Sequence, residues 1–126
     1  MDNSKELVEK RKHKRFEVRP GAFVILKPSG MAACRVLNIS MDGLTFDCVS
    51  TQTEPIEATQ LDIFLTDSPV RVSDVPCKSI WDLMIYERPS ISLHRRRCGV
   101  QFGELTPDQE TQLEYFIQHN TTGEAT

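Results

Sequence analysis

Residues 34–49 read CRVLNISMDGLTFDCV, and this stretch holds the clearest local signals in the chain. Leu44, Phe46 and Cys48 recur at every second position, which is the period of a half-buried β-strand. The segment Cys34–Ile39 is a second strand-like run. Asn, Ser, Asp and Gly are turn-forming residues, and they fill the link between the two runs up to Gly43. The sequence therefore predicts two neighbouring strands joined by a short polar turn.

Further strand-like runs lie on both sides of this unit, at residues 22–26, 61–65, 75–81 and 100–102. Several short strands separated by turn signals predict a small antiparallel barrel or sandwich. Closing the sheet into a barrel would also remove exposed strand edges. Residues 83–97 are long for a hairpin tip and include a proline, so we expect an extended hairpin with a loop there.

The C-terminal segment changes from a strand-like to a helical pattern. Thr106 can cap a helix, Pro107 suits the first helical position, and Gln109 completes a capping box. From Leu113 onward, apolar residues recur at helical spacing. We expect a helix that runs to about residue 119 and packs on the sheet.

The charge balance limits the classes of partner. The chain has 126 residues, the size of one domain, and a net charge of -3 at pH 7. An acidic protein is a poor candidate for general nucleic-acid binding. The basic residues are nevertheless clustered, because positions 10–19 hold six Lys or Arg against one acid and Arg95, Arg96 and Arg97 are consecutive. Compact basic patches on an acidic protein suit a small anionic ligand.

The four cysteines, Cys34, Cys48, Cys77 and Cys98, form no C-x-x-C pair, and no histidine spacing completes a zinc site. We expect free, buried thiols in a reducing cytosol and no bound metal. The first residues lack the apolar core of a signal peptide, and no run approaches transmembrane length. The sequence therefore predicts a cytoplasmic protein.

Two polar motifs supply the candidate binding residues. Arg11 and Arg15 form an R-x-x-x-R motif, and a guanidinium can bond paired acceptors such as guanine O6 and N7 or phosphate oxygens. The turn contributes an N-x-S-x-x-G motif with Asn38, Ser40 and Gly43. These offer an amide for a guanine edge, a hydroxyl, and a position open to close approach. Taken singly, the motifs also fit a solvated basic tail and an ordinary β-turn.

In this order, and ahead of short strands, the two motifs resemble the signature of the PilZ domain family. Residues 75–81, an alternating run that ends at Trp81, the sequence GVQF at 99–102 and the predicted C-terminal helix agree with the same family. The resemblance covers about residues 10–119. It implies a mainly β fold, a six-stranded antiparallel β-barrel with a C-terminal α-helix. It also implies binding of cyclic di-GMP, a cyclic dinucleotide with two guanines and two phosphates.

The resemblance assigns roles to individual residues. Arg11 and Arg15 would contact guanine Hoogsteen edges and phosphates, Asn38 and Ser40 would contact the other side of the ligand, and Gly43 would shape the turn. Many members carry Asp at the position of Asn38, and an amide has one acceptor oxygen where a carboxylate has two, so the affinity is open. The secondary ligand-binding candidates are Lys12, Lys14 and Arg97, with simple exposure as the alternative for Arg97.

We divide the chain into a flexible basic arm at residues 1–14, a barrel with its closing helix at 15–119, and a disordered tail at 120–126. We expect cyclic di-GMP to order the arm and create a surface that signals to an unidentified effector protein. The sequence indicates no catalytic residues, no cofactor and no membrane insertion, and it leaves a homodimer open.

Two other functions compete with this interpretation. A PilZ-like module that interacts with proteins independently of a ligand would share the fold, although the intact motifs argue against it. A barrel that binds single-stranded nucleic acid would use the two basic clusters. However, no aromatic platform interleaves with them, so we expect no nucleic-acid partner.

Overall fold

The computed structural model describes residues 14–28, 34–50, 57–88 and 93–125. Eight strands and one helix lie within these ranges. The strands are β1 (Phe16–Val18), β2 (Ala22–Lys27), β3 (Cys34–Ile39), β4 (Gly43–Ser50), β5 (Gln60–Leu65), β6 (Arg71–Arg88), β7 (Leu93–Phe102) and β8 (Thr121–Glu124), and helix α1 (Pro107–Asn120) lies between β7 and β8.

Six strands form a closed antiparallel barrel in the order β2-β5-β6-β7-β4-β3, with β3 pairing back onto β2. Along one of its edges, strand β3 pairs with two different strands. Its start, at Cys34 and Arg35, pairs with β2, and its end, at Asn38 and Ile39, pairs with β1. Strand β8 then pairs with the outer edge of β1. The predicted six-stranded antiparallel barrel with a C-terminal helix is confirmed.

Alternating apolar residues fill the barrel. In β2, Ala22, Val24 and Leu26 are fully buried, whereas the residues between them are partly exposed. Phe46 of β4 and Phe116 of α1 are the largest of the nearly or fully buried side chains. These side chains belong to one cluster, so barrel and helix are stabilised by a common core. Each buried side chain of this kind contributes about 1.5–3 kcal/mol relative to exposure.

Helix α1 begins with the predicted capping box. Thr106 Oγ1 accepts a hydrogen bond from the Gln109 backbone N–H at 3.1 Å, and Gln109 Oε1 accepts one from the Thr106 N–H at 2.9 Å. The Gln109 amide also donates to the carbonyl oxygens of Ser73 and Asp74, at 2.9 and 3.0 Å. One side chain therefore caps the helix and ties its start to β6. No helix within the described ranges is long and apolar enough to cross a membrane.

One predicted segment differs from the structure, and a second agrees with it. The tail predicted to be disordered, residues 120–126, contains the last helical residue and strand β8, so this prediction is wrong for 120–124. Its polar residues show no strand pattern, and backbone pairing with β1 forms the strand. The extended hairpin predicted at 83–97 is present as two paired strands, because β6 continues to Arg88 and β7 starts at Leu93. Residues 89–92 between them lie outside the described residues. Residues 1–13 of the predicted arm lie outside the described residues.

Two of the four cysteines are paired, contrary to the prediction of free thiols. Cys34 and Cys48 form a disulfide between β3 and β4, with their Cα atoms 4.6 Å apart. The antiparallel register places them opposite each other, which their spacing in the sequence does not reveal. Cys77 and Cys98 are free, as predicted. Burial raises the pKa of their thiols to about 11 and about 12, so both stay protonated at neutral pH.

Candidate functional site

The N-x-S-x-x-G turn between β3 and β4 is held by its own serine. The Ser40 N–H donates to the Gly43 carbonyl at 2.8 Å, and Ser40 Oγ accepts from the Asp42 N–H at 3.0 Å. The carbonyl of Asp42 accepts from the Phe102 N–H at 2.7 Å, which fixes the turn to the end of β7. Ser40 is buried, so its hydroxyl first of all stabilises the turn.

Gly43 is required by close packing. A Cβ atom at this position would collide with the carbonyl oxygen of Val100 in β7. The backbone of β4 therefore lies directly against β7, and any other residue would push the turn away from it. The predicted importance of Gly43 has a steric basis here, and a positive φ is not involved.

Four residues lie side by side across the outside of the barrel: Asn38 on β3, Thr45 on β4, Gly99 on β7 and Trp81 on β6. The strand registers pair Asn38 with Thr45, Thr45 with Gly99, and Gly99 with Trp81. A Cβ atom on Gly99 would overlap the indole, so the Trp81 ring lies over this glycine. We call these four residues the outer row. It presents polar groups at one end and a half-buried aromatic ring at the other.

Two polar atoms of the outer row lack a partner. Asn38 Oδ1 and Thr45 Oγ1 are buried, and neither has a hydrogen bond to any described residue. Buried polar atoms are normally paired, and an unpaired one costs about 1–3 kcal/mol. The two atoms are therefore suited to a ligand that brings its own hydrogen-bonding groups. The sequence predicted Asn38 and missed Thr45, although the alternation in β4 places Thr45 on the outward face.

The second arginine of the R-x-x-x-R motif lies near this row. Arg15 immediately precedes β1, and β1 pairs with the end of β3 so that Glu17 lies opposite Asn38. Arg15 and Asn38 are thus brought to the same part of the barrel surface from distant parts of the sequence. Arg11 and Lys12, the other predicted contacts on the arm, lie outside the described residues.

The C-terminal strand holds the base of the arm. The Arg15 carbonyl accepts a hydrogen bond from the Ala125 N–H at 2.9 Å. Lys14 Nζ lies 3.9 Å from Glu124 Oε2, and both side chains are exposed, so this pair contributes little stability. Strand β8 therefore fixes where the arm leaves the barrel, mainly through backbone pairing.

A cavity of about 310 Å³ lies beside the arm. It connects the base of the arm, the N-x-S-x-x-G turn and helix α1. Its lining residues are Lys14, Phe16, Met41, Glu114, Ile117 and Gln118. Met41 belongs to the turn and packs against the core together with Ile117 of the helix. The base of the arm, the turn and the helix thus line one cavity.

Arg97, predicted as a secondary contact, belongs to a cluster of charges. Its Nε and a terminal nitrogen donate to the two oxygens of Asp47 at 2.8 and 3.2 Å. Arg95 donates to Asp47 at 2.9 Å, and Arg35 lies 3.9 Å away. We call Asp47 and these three arginines the Asp47 cluster. Burial pushes the pKa of Asp47 upward, but the hydrogen bonds from Arg97 and Arg95 outweigh it and hold this pKa below its usual value.

The chemistry of these residues suits ligand binding. Within the described ranges, no group of three or more His, Cys, Asp and Glu residues could hold a metal ion. The outer row and the Asp47 cluster instead offer hydrogen-bonding groups, a ring and positive charge on one surface. Such a surface can recognise an anionic ligand that carries flat polar bases.

Comparisons with known proteins agree with this fold. The family model of the PilZ domain matches residues 9–119. A structure described as the PilZ domain with c-di-GMP of YcgR from Escherichia coli has a TM-score of 0.62 at 16% identity, covering 86% of this chain and 89% of that chain. MrkH, described as a c-di-GMP-dependent transcription regulatory factor, has a TM-score of 0.54 at 12% identity, covering 86% of this chain and 49% of MrkH. No curated protein is significantly similar in sequence.

Proposed function

The chain belongs to the PilZ domain family, and from this premise we propose that it is a receptor for cyclic di-GMP. The observation that carries the proposal is the position of Arg15 beside the outer row, where Asn38 Oδ1 is buried and lacks a protein donor among the described residues. A guanine offers N–H donors on one edge and the O6 and N7 acceptors on another. One base can therefore satisfy an amide oxygen and a guanidinium together.

The family motifs give each residue a role in this proposal. Arg11 and Arg15 bind the acceptor edge of guanine and the phosphates through paired N–H groups. Asn38 accepts from the guanine donor edge, while Ser40 and Gly43 keep the turn in place against β7.

Four further positions add to the site. Thr45 Oγ1 takes part beside Asn38, and the Trp81 ring provides a surface on which a base can stack. Lys14, at the base of the arm, attracts the anion at longer range, as does Lys12.

Binding would be read out by the arm. Arg11 and Arg15 close over the outer row when the ligand is present, and the arm becomes ordered. The base of the arm, the turn and α1 line one cavity, so a shift of the arm alters the surface around Phe16 and Ile117. This surface is the proposed contact for an effector protein.

The proposed activity is ligand binding without a catalytic step, and the proposed location of the protein is the cytoplasm. A reducing cytosol keeps most cysteines as thiols. The Cys34–Cys48 disulfide would then open under those conditions, and the binding experiments are best run with and without a reductant.

Isothermal titration with cyclic di-GMP tests the receptor proposal. We expect saturable binding by the wild-type chain and a loss of at least about 100-fold in Arg15→Ala, because paired, charge-assisted hydrogen bonds are removed. Arg71→Ala is the matched control, since it removes an arginine bound to a buried aspartate elsewhere on the barrel. GTP should not compete. A folded wild-type sample that gives no heat would leave a ligand-independent interaction module as the better reading.

Hydrogen exchange tests the arm. We expect the amides of residues 6–15 to exchange more slowly when cyclic di-GMP is added. Saturable binding with unchanged exchange there would separate the two ideas: the receptor would stand and the ordering of the arm would fail.

A further inference from the structure

The Asp47 cluster carries more positive charge than its own contacts use. Among the described side chains, Arg35, Arg95 and Arg97 share the single carboxylate of Asp47, so two positive charges are left over there. A guanidinium has five N–H donors. Arg97 directs two of them to Asp47 and Arg95 directs one, and the three side chains are 41–54% exposed. Donors therefore remain available at the surface for another anion.

The cluster adjoins the outer row on the same face of the barrel. On β4, Asp47 follows Thr45 by two residues, which places their side chains on one face roughly 7 Å apart. The registers continue this relation to the neighbouring strands, since Arg35 and Arg97 both pair with Asp47. A ligand whose base lies at Asn38 and Thr45 would therefore extend its charged groups towards the cluster.

The one carboxylate also holds two of the three arginines in place. Asp47 is nearly buried, and its two oxygens hold Arg97 by a two-point contact and Arg95 by a third bond. A bidentate arginine–carboxylate contact restricts the orientation of the guanidinium. Less side-chain freedom is then lost when an anion arrives, which favours binding.

From this geometry we propose that Asp47 and the three arginines form a phosphate subsite for the cyclic dinucleotide. Arg35 and Arg97 contact phosphodiester oxygens, and Asp47 is a positioning residue that holds the guanidinium groups. This inference rests on the proposed receptor function and adds a second recognition element to it, on the barrel wall and independent of the arm.

Titration of charge-removing variants tests the subsite. Arg97→Gln retains a donor for Asp47 and loses the positive charge, and we expect cyclic di-GMP to bind about tenfold more weakly. The double variant Arg35→Gln/Arg97→Gln should lose about 100-fold at about 50 mM NaCl and clearly less at about 500 mM, because salt screens exposed charges. Arg97→Lys should fall between wild type and Arg97→Gln. The matched control Arg71→Gln should bind within about twofold of wild type.

The role of Asp47 has its own readout. Asp47→Asn removes a negative charge, so simple attraction predicts tighter binding of the anion. A positioning role predicts weaker binding at about 500 mM NaCl, where long-range attraction is screened. Melting temperatures of all variants, measured without ligand, show whether the barrel is intact.

The outcomes separate the two proposals. If Arg15→Ala abolishes binding while the Arg35→Gln/Arg97→Gln variant binds like wild type, the subsite is wrong and the receptor stands. If Arg71→Gln weakens binding as much as Arg97→Gln, the effect is one of overall charge and the subsite is also wrong. If the folded wild-type chain binds no cyclic di-GMP, both proposals fail.

Discussion

Two nearly buried aspartates on the barrel, Asp47 and Asp62, have opposite surroundings. Asp62 accepts from Arg71 at 2.6 Å and from the Asp74 backbone N–H at 2.8 Å, and it lies 3.0 Å from Lys27. Lys27 also bonds the Asp74 carboxylate at 2.7 Å, so two cations meet two anions. Asp47, in contrast, faces three arginines and, among the described side chains, no second carboxylate, and its described hydrogen bonds all come from side chains.

The difference separates a structural network from a surface suited to a ligand. The Asp62 network is neutral and includes a backbone donor at Asp74, whose φ of 56° is a left-handed conformation that is uncommon outside Gly, Asn and Asp. Gln109 bonds the carbonyl of the same residue, so the network also secures the start of α1. The Asp47 cluster has no backbone donor among its described hydrogen bonds and keeps excess positive charge. Burial and ion pairing alone therefore do not mark a binding site, and it is the unbalanced charge that supports the proposed phosphate subsite.

Reduction of the disulfide should produce the largest effect, and this effect should be strongest in the region around the bond. Opening Cys34–Cys48, which are 14 residues apart, should destabilise the chain by about 3 kcal/mol in the loop-closure model. Both cysteines flank the Arg35 and Asp47 pair, so amide exchange should rise at residues 34–48. Exchange at residues 61–75 should change less, and this stretch is the internal control. Equal urea midpoints with and without a reductant would show that the bond does not stabilise the fold.

Removal of the Asp62 carboxylate should have the next largest effect. Asp62→Ala leaves the Asp74 N–H without its partner beneath two surface cations, and we expect a loss of about 2 kcal/mol in urea unfolding. Asp47→Ala should cost less, because the described donors to Asp47 are side chains that can be hydrated and no backbone N–H among them loses its acceptor. The reverse order would mean that the Asp47 cluster is the main structural network.

The sequence predicts only the local features of these two regions, such as strands and turns. A continuous strand-like run predicted β2, alternation predicted β4, and the polar turn ending at Gly43 was recognisable from its residue types. The contacts of Asp47 with Arg95 and Arg97 span 48 and 50 residues, and only the barrel register creates them.

The features that the sequence missed depend on tertiary pairing. The Cys34–Cys48 bond and strand β8 both require a neighbouring strand, and β8 has no apolar pattern of its own. Thr45 and Trp81 were visible as residues of predicted strands, but their places in the outer row depend on the register with β3 and β7.

A fall in pH should reduce the stability more through the two nearly buried aspartates than through an exposed one. Burial raises the pKa of Asp62, but hydrogen bonds from the Asp74 backbone, Arg71 and Lys27 outweigh it, and the folded-state pKa lies below the ordinary value. Its stabilisation is therefore complete above the ordinary aspartate pKa of about 3.9 and is lost as the pH falls below it. The stability of Asp62→Asn should decline less steeply below about pH 4 than that of wild type. Asp67→Asn, at an exposed turn, is the control and should follow the wild-type curve.

The smallest effects on stability are expected when the exposed arginine partners of the two aspartates are replaced. These variants also test the difference between the Asp47 and Asp62 regions most directly. Arg97→Gln and Arg71→Gln should each change the free energy of unfolding by less than about 1 kcal/mol, because the two side chains are 41% and 49% exposed. Arg71 should be the more costly, since its guanidinium also lies 5.9 Å from the Phe64 ring centre. The affinity for cyclic di-GMP should follow the opposite order, with the larger loss in Arg97→Gln. If Arg97→Gln instead cost more than about 2 kcal/mol in urea unfolding, its weaker binding would follow from damage to the fold, and the distinction between the two regions would disappear.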